Sequence, residues 1–224
     1  PPSYTATQLL VVPKSIPIKA LNGVSSQSFT LSFSVLTPIS SFSYPQSSYI
    51  IPRDVSFSIT PSFNGDQVSF SIIDGSLPSG LSIDSSTGII SGIPSQAVFY
   101  CSVTIKAFNQ VSNRSFAISF SVLTPISSFS YPQSSIVIPR GEYYSVSPII
   151  EGTNPSYSIT SGSLPSGLSL YSSTGIISGT PSQSAFDRSV TIKALNGVSS
   201  QSFTLSFSAF SFSSFSSFSS SAIF

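Results

Sequence analysis

Few residues in this sequence could do chemistry, and none of them cluster. Histidine is absent from the 224 residues, so Ser-His-Asp and Cys-His catalysis and imidazole-bearing metal sites have no starting point. The seven acids, Asp54, Asp66, Asp74, Asp84, Glu142, Glu151 and Asp187, are dispersed along the chain. A calcium site instead draws about six to eight oxygens, several from converging carboxylates, and glycoside hydrolysis needs a carboxyl pair at fixed separation. Lys19, Lys106 and Lys193 each sit between apolar residues at the same point of a repeated strand, which reads as a solvated face rather than half of a Ser-Lys dyad. Cys101 is the single cysteine; it cannot form an internal disulfide and reads as a small buried strand residue. Asn113-Arg114-Ser115 fits an N-glycosylation acceptor, whereas Asn154 is excluded by Pro155. The expectation is therefore no catalytic, cofactor-binding or metal-ligating residue, no cofactor, no enzymatic activity, and one modification site at Asn113.

The composition agrees with a packed, uncharged scaffold. Hydrophobic residues make up 40% and charged residues 7%, with a net charge of +1; this is neither a polyelectrolyte nor a charge-rich disordered segment. Eight lysines and arginines are scattered singly, without the basic stripe that nucleic acid requires. Serine, about a quarter of the residues, interrupts every apolar run, so no stretch approaches the ~20 residues of a membrane-spanning helix. With no initiating methionine and no secretory leader, the sequence reads as a mature product or an excerpt.

The elements that position these residues are written in a repeat. "IKALNGVSSQSFTLSFS" at residues 18–34 recurs unchanged at 192–208, 174 residues later. "SFSVLTPISSFSYPQSS" at 32–48 recurs at 119–135, displaced by 87, and "SLPSGLSIDSSTGIISGIPSQ" at 76–96 recurs with three changes at 163–183, again by 87. A unit of 87 residues is domain-sized, too long for a solenoid repeat of roughly 20–50 residues. With "LTP" as the junction, the expected organisation is a partial unit at 1–38 holding last strands only, full units at 39–125 and 126–210, and a Phe/Ser-rich tail at 211–224 standing where another unit's first strand would begin.

Inside a unit the pattern alternates. Val55, Phe57 and Ile59 alternate with serines, as do Val68, Phe70 and Ile72; Val103, Ile105 and Ala107 alternate with Thr104 and Lys106. Period two with one apolar and one hydroxyl face predicts antiparallel strands, half buried. The predicted strands are 39–44, 49–52, 55–60, 68–73, a short hairpin through 81–92, 99–108 and 115–123. Seven short strands with frequent turns predict an all-β fold of tandem antiparallel β-sandwiches. Asn196-Gly197 suggests a tight hairpin turn with positive φ at both positions. In "LPSGL", Pro78 and Gly80 make a bend that sends Leu77 and Leu81 inward. The same phrase lacks the helix and lysine of a phosphate cradle.

"LPSGLSIDSSTGIISGIP", followed by "SVTIKAFN" and "SFAISFSVL" and preceded by "FSYPQSS", resembles the immunoglobulin-like tandem repeats of the cadherin-like and dystroglycan-type group. The resemblance spans both full units and the partial one. It implies seven-stranded immunoglobulin-like sandwiches acting as spacers, adhesion modules or matrix components outside the cell or on its surface. The calcium sites of some cadherin-like relatives are not implied, because Tyr171 stands where Asp84 stands one unit earlier. Two roles follow as expectations. One is a structural subunit of an extracellular or cell-surface fibre or stalk, with copies of itself or other surface or matrix proteins as partners, polymerising head to tail by β-strand addition. The alternative is an adhesin or carbohydrate-binding module that contacts glycans through loops such as Tyr143-Tyr144 or Phe63. The Ser/Thr/Pro-rich junction "TPISSFSYPQSS" suits O-linked sugar.

Overall fold

A computed structural model describes residues 14–21 and 24–210, and every regular element in them is a strand. A hairpin comes first, β1 (Lys14–Leu21) against β2 (Ser26–Phe33), antiparallel with Ile16 opposite Leu31 and Ile18 opposite Phe29.

The next nine strands form one sandwich: β3 (Ser41–Ser43), β4 (Ser48–Pro52), β5 (Phe57–Ile59), β6 (Ser62–Asn64), β7 (Ser69–Gly75), β8 (Leu81–Ile83), β9 (Ile90–Gly92), β10 (Val98–Phe108) and β11 (Asn113–Leu123). One layer is a four-stranded sheet in the order β4-β11-β10-β7, and against it stand β5-β9-β8 and the pair β3-β6. The β4–β11 pairing is parallel, with Tyr49 beside Phe120, while the others are antiparallel. The second sandwich repeats this with β12 (Ser128–Ser130), β13 (Ser135–Pro139), β14 (Tyr144–Val146), β15 (Ile149–Glu151), β16 (Ser156–Gly162), β17 (Leu168–Leu170), β18 (Ile177–Gly179), β19 (Ala185–Leu195) and β20 (Ser200–Phe210), where β13 runs parallel to β20.

The alternating apolar positions become the cores. Val103, Ile105, Ile118 and Phe120 in the first sandwich, and Val190, Ile192, Leu205 and Phe207 in the second, are essentially inaccessible to solvent. Tyr44 and Tyr131 enter the same cores, and each donates its hydroxyl to a backbone carbonyl, Gly88 and Gly175, at 2.6 Å. Burial pushes both phenols upward from their ordinary value.

Nine strands replace the seven expected per unit. The hairpin through 81–92 is two strands, and β6 and β15 arise in segments whose sequences differ between the units, where alternation is too short to announce a strand. Asn196-Gly197 is also not a tight turn, since neither residue has a positive φ. Four residues, 196–199, connect β19 to β20, and the Asn196 side chain is committed elsewhere, as described next.

Candidate functional site: junction clamps and an uncovered hairpin face

Where one unit meets the next, an asparagine ties three chain segments together. Asn196 is buried, and its Nδ2 donates to the carbonyls of Thr124 and Thr153, both at 2.9 Å. Its Oδ1 accepts from the Val198 and Ser199 amides and from the Ser199 hydroxyl. The Ser199 hydroxyl in turn receives the Ile126 amide at 2.6 Å. One side chain thus satisfies the four-residue turn, the "LTP" junction and the β15 loop together, so every polar atom it buries is paired. Asn109 and Ser112 build the same clamp one unit earlier, on Thr37, Asp66 and Ile39. There the Thr37 amide donates to the Asp66 carboxylate at 2.9 Å, and hydrogen bonds from the Thr37 side chain and amide hold that carboxyl below its ordinary value. In the later clamp Thr153 Oγ1 replaces the carboxylate, accepting from the Thr124 amide at 2.8 Å. The turn also reaches the preceding unit: a Cβ on Gly197 would lie 2.9 Å from Cγ2 of Ile50 on β4.

The second feature is the face of β1–β2. Its residues are the repeat equivalents of those that close the two cores, yet Ile16 is 42%, Ile18 53%, Phe29 66% and Leu31 46% exposed, where Val190, Ile192 and Leu205 are at 0%. Among the described residues the same element is thus exposed here and covered in the two complete units. Burying such a face stabilises by about 25 cal/mol per Å² of apolar surface, and contiguous exposed patches of this kind mark interaction sites.

Other residues singled out by sequence lie apart. Asn113 opens β11 and is exposed, as an acceptor site needs. Cys101 is half buried against the first core, and burial pushes its thiol up, which opposes reactivity. Tyr143 is 71% exposed, but Tyr144 packs on the second core and Phe63 packs edge-on against Phe70 at 5.1 Å. Tyr143 is thus the most exposed of the three, while Phe63 keeps part of its ring accessible. Among the described residues no three Cys, Asp or Glu side chains converge to hold a metal, and no helix is long and apolar enough to cross a membrane. The clamps escaped sequence reasoning; the signal was Asn-x-x-Ser repeated at 22–25, 109–112 and 196–199.

The sequence profile of the family described as "Putative Ig domain" matches residues 30–125 and 121–208. The chain belongs to that family. No curated protein sequence matches it. Solved structures built of immunoglobulin domains superpose on it at low identity: a titin I-band fragment, I67–I69 (17% identity, 86% of this chain and 73% of that one, TM-score 0.50), Sidekick-1 immunoglobulin domains 1–4 (11%, 88% and 58%, TM-score 0.52), and extracellular domains 3–5 of Drosophila OTK (13%, 83% and 69%, TM-score 0.52). At these identities the likeness carries the fold alone: all-β, tandem immunoglobulin-like domains, with no helix among the described residues. The family model and these structures carry the immunoglobulin-like assignment and not the finer cadherin-like and dystroglycan-type grouping.

Proposed function

We propose that this immunoglobulin-like chain is a structural segment of an extracellular or cell-surface fibre or stalk, organised as units at 39–125 and 126–210. The observation that carries the reading is the clamped junction: Asn196 ties the turn of one unit to the linker that precedes it, while Gly197 rests on Ile50 of the unit before. A chain of freely swinging domains has no use for such a tie. The extracellular domains of OTK supply an analogy for the location. The exposed Asn113 carries N-linked sugar in this reading, and the Ser/Thr/Pro junctions carry O-linked sugar. Electron microscopy of the native material tests it: filaments or rods with an axial repeat of one unit are expected, and isolated compact particles at all concentrations overturn it.

A second reading, a carbohydrate-binding module, rests on the exposed Tyr143 in the loop between β13 and β14. Glycan-array binding abolished by Tyr143→Ala supports it, and a silent array removes it.

A further inference from the structure

A bulge in the second unit gathers side chains that its counterpart in the first unit does not. β19 and β20 are in register at Ala185 beside Ala209 and again at Arg188 beside Phe207, so Phe186 and Asp187 together face Ser208. Two residues against one re-aim their side chains. Phe186 is 74% exposed and meets Phe210 edge to face, with ring centroids 4.9 Å apart. The exposed Asp187 donates its amide to the Ser208 hydroxyl at 3.1 Å, and its Oδ1 accepts loosely from the Ser206 and Ser208 hydroxyls at 3.4 and 3.5 Å. A carboxylate has about four acceptor positions, so most of its capacity is open to a ligand. Arg188 turns elsewhere, donating to the Ser163 hydroxyl at 3.2 Å.

Comparison with the first unit separates this cluster from ordinary repeat architecture. The same bulge there sets Phe99 and Tyr100 against Ser121, and the Ser121 hydroxyl is spent on the Phe99 carbonyl. Tyr100 and Leu123 stand where Asp187 and Phe210 stand. The backbone differs too, because Asp187 has φ +41° and Tyr100 has no positive φ. The other non-glycine residues with positive φ, Asp54, Gln67 and Asn154, each have a positive-φ counterpart 87 residues away, at Gly141, Asn154 and Gln67. The unit's fold therefore does not demand a left-handed residue at 187, and strain held in place by neighbouring bonds gathers at ligand sites. Phe99 is 63% exposed although a further unit follows it, so exposure of the ring belongs to the bulge itself.

We infer that Phe186 and Asp187, flanked by Ser206 and Ser208, form a saccharide-binding site, in which a pyranose lays its apolar C–H face on the Phe186 ring and donates ring hydroxyls to the Asp187 carboxylate. This rests on the carbohydrate-binding reading above and gives it a site separate from Tyr143. Hydroxyl-to-carboxylate bonds are charge-assisted and roughly twice as strong as neutral ones, and Phe210 fixes the ring before the ligand arrives. An organic ammonium would also meet a ring and a carboxylate, but such ligands favour cages of several rings. One open ring with hydroxyls beside it suits a neutral sugar.

Isothermal titration calorimetry of the full chain with cello-, laminari-, chito- and mannohexaose tests the assignment, and at least one is expected to bind. Asp187→Asn keeps the shape and tolerates a positive φ. It is expected to weaken that binding at least ~10-fold, as is Phe186→Ala, whereas Tyr143→Ala changes it less than ~2-fold. Asp187→Gly, which relieves the backbone while removing the carboxylate, is expected to bind as weakly as Asp187→Asn with both thermal transitions of the parent retained, so that a lost fold cannot pass for a lost site. Binding that survives Asp187→Asn or Phe186→Ala overturns the inference. Binding lost in Tyr143→Ala but kept in Asp187→Asn leaves the carbohydrate reading and removes this site. No binding to any of the four sugars overturns the inference, and a silent glycan array removes the carbohydrate reading with it. Choline bound in place of sugar, and lost in Asp187→Asn, overturns the saccharide assignment.

Discussion

Asp84 and Tyr171 occupy the same place in consecutive units and give the two hairpins different chemistry. The Asp84 carboxylate accepts from the Ser86 hydroxyl, the Ser86 amide and the Thr87 amide at 2.6–2.8 Å. These bonds, led by that from the Ser86 side chain, favour the ionised form and bring the carboxyl down to about 2 from 3.8. A depressed folded value contributes stability that is fully present above 3.8 and is lost as pH falls through 2. Acidification through that window is therefore expected to loosen the 84–88 turn, with no counterpart at 171–175, where a tyrosine stands. Carboxyl-detected NMR checks this directly: an Asp84 midpoint at or above 3.8 contradicts it. A sequence reader sees Asp-Ser-Ser-Thr-Gly as a turn, but the three donors converging on one carboxylate appear only in the fold.

At the scale of strands, the repeated "LPSGL…IISGIP" is explained by two glycines facing each other. Gly80 has φ +93° and Gly92 φ +142°, and a Cβ on Gly92 would lie 2.0 Å from the Gly80 carbonyl oxygen. β8 and β9 approach here with no room for a side chain, so Gly92→Ala forces the backbone apart and strains a left-handed position. We expect a loss of roughly 2–4 kcal/mol in the first unit, read as a fall in one of two thermal transitions, with Gly179→Ala doing the same to the second. Two undisturbed transitions would refute that account. The fold was legible here because period two and the fixed Gly and Pro spacings are local signals. β6 was not: Phe63 is its single alternating apolar residue, and it forms because Phe42 on β3 stands opposite. The clamps were not legible either, because Asn196 bonds Thr124 across 72 residues of sequence. The bare face of β1–β2 was half legible; its apolar residues were plain, but only comparison with two finished cores shows them uncovered.

For the molecule as a whole, the clamps decide how one unit follows another. Asn196→Ala removes its Nδ2 donor from two part-buried carbonyls, of which that of Thr124 still accepts from the Thr153 amide; the loss costs about 1–2 kcal/mol and loosens the tie on the "LTP" linker. Small-angle X-ray scattering of the variant is expected to show a broader distribution of maximum dimension than the parent chain. Identical scattering from a folded variant would mean that the clamp supports the turn and not the joint. The parallel pairing of β4 with β11, and of β13 with β20, bears on what happens when such an array is pulled. The strand near the start of each unit and the strand at its end lie side by side and point the same way. Tension along the chain slides them past each other, so the five paired positions of each ladder are loaded at once rather than peeled one by one. Resistance to stretch is thereby concentrated in one short strand near the start of each unit.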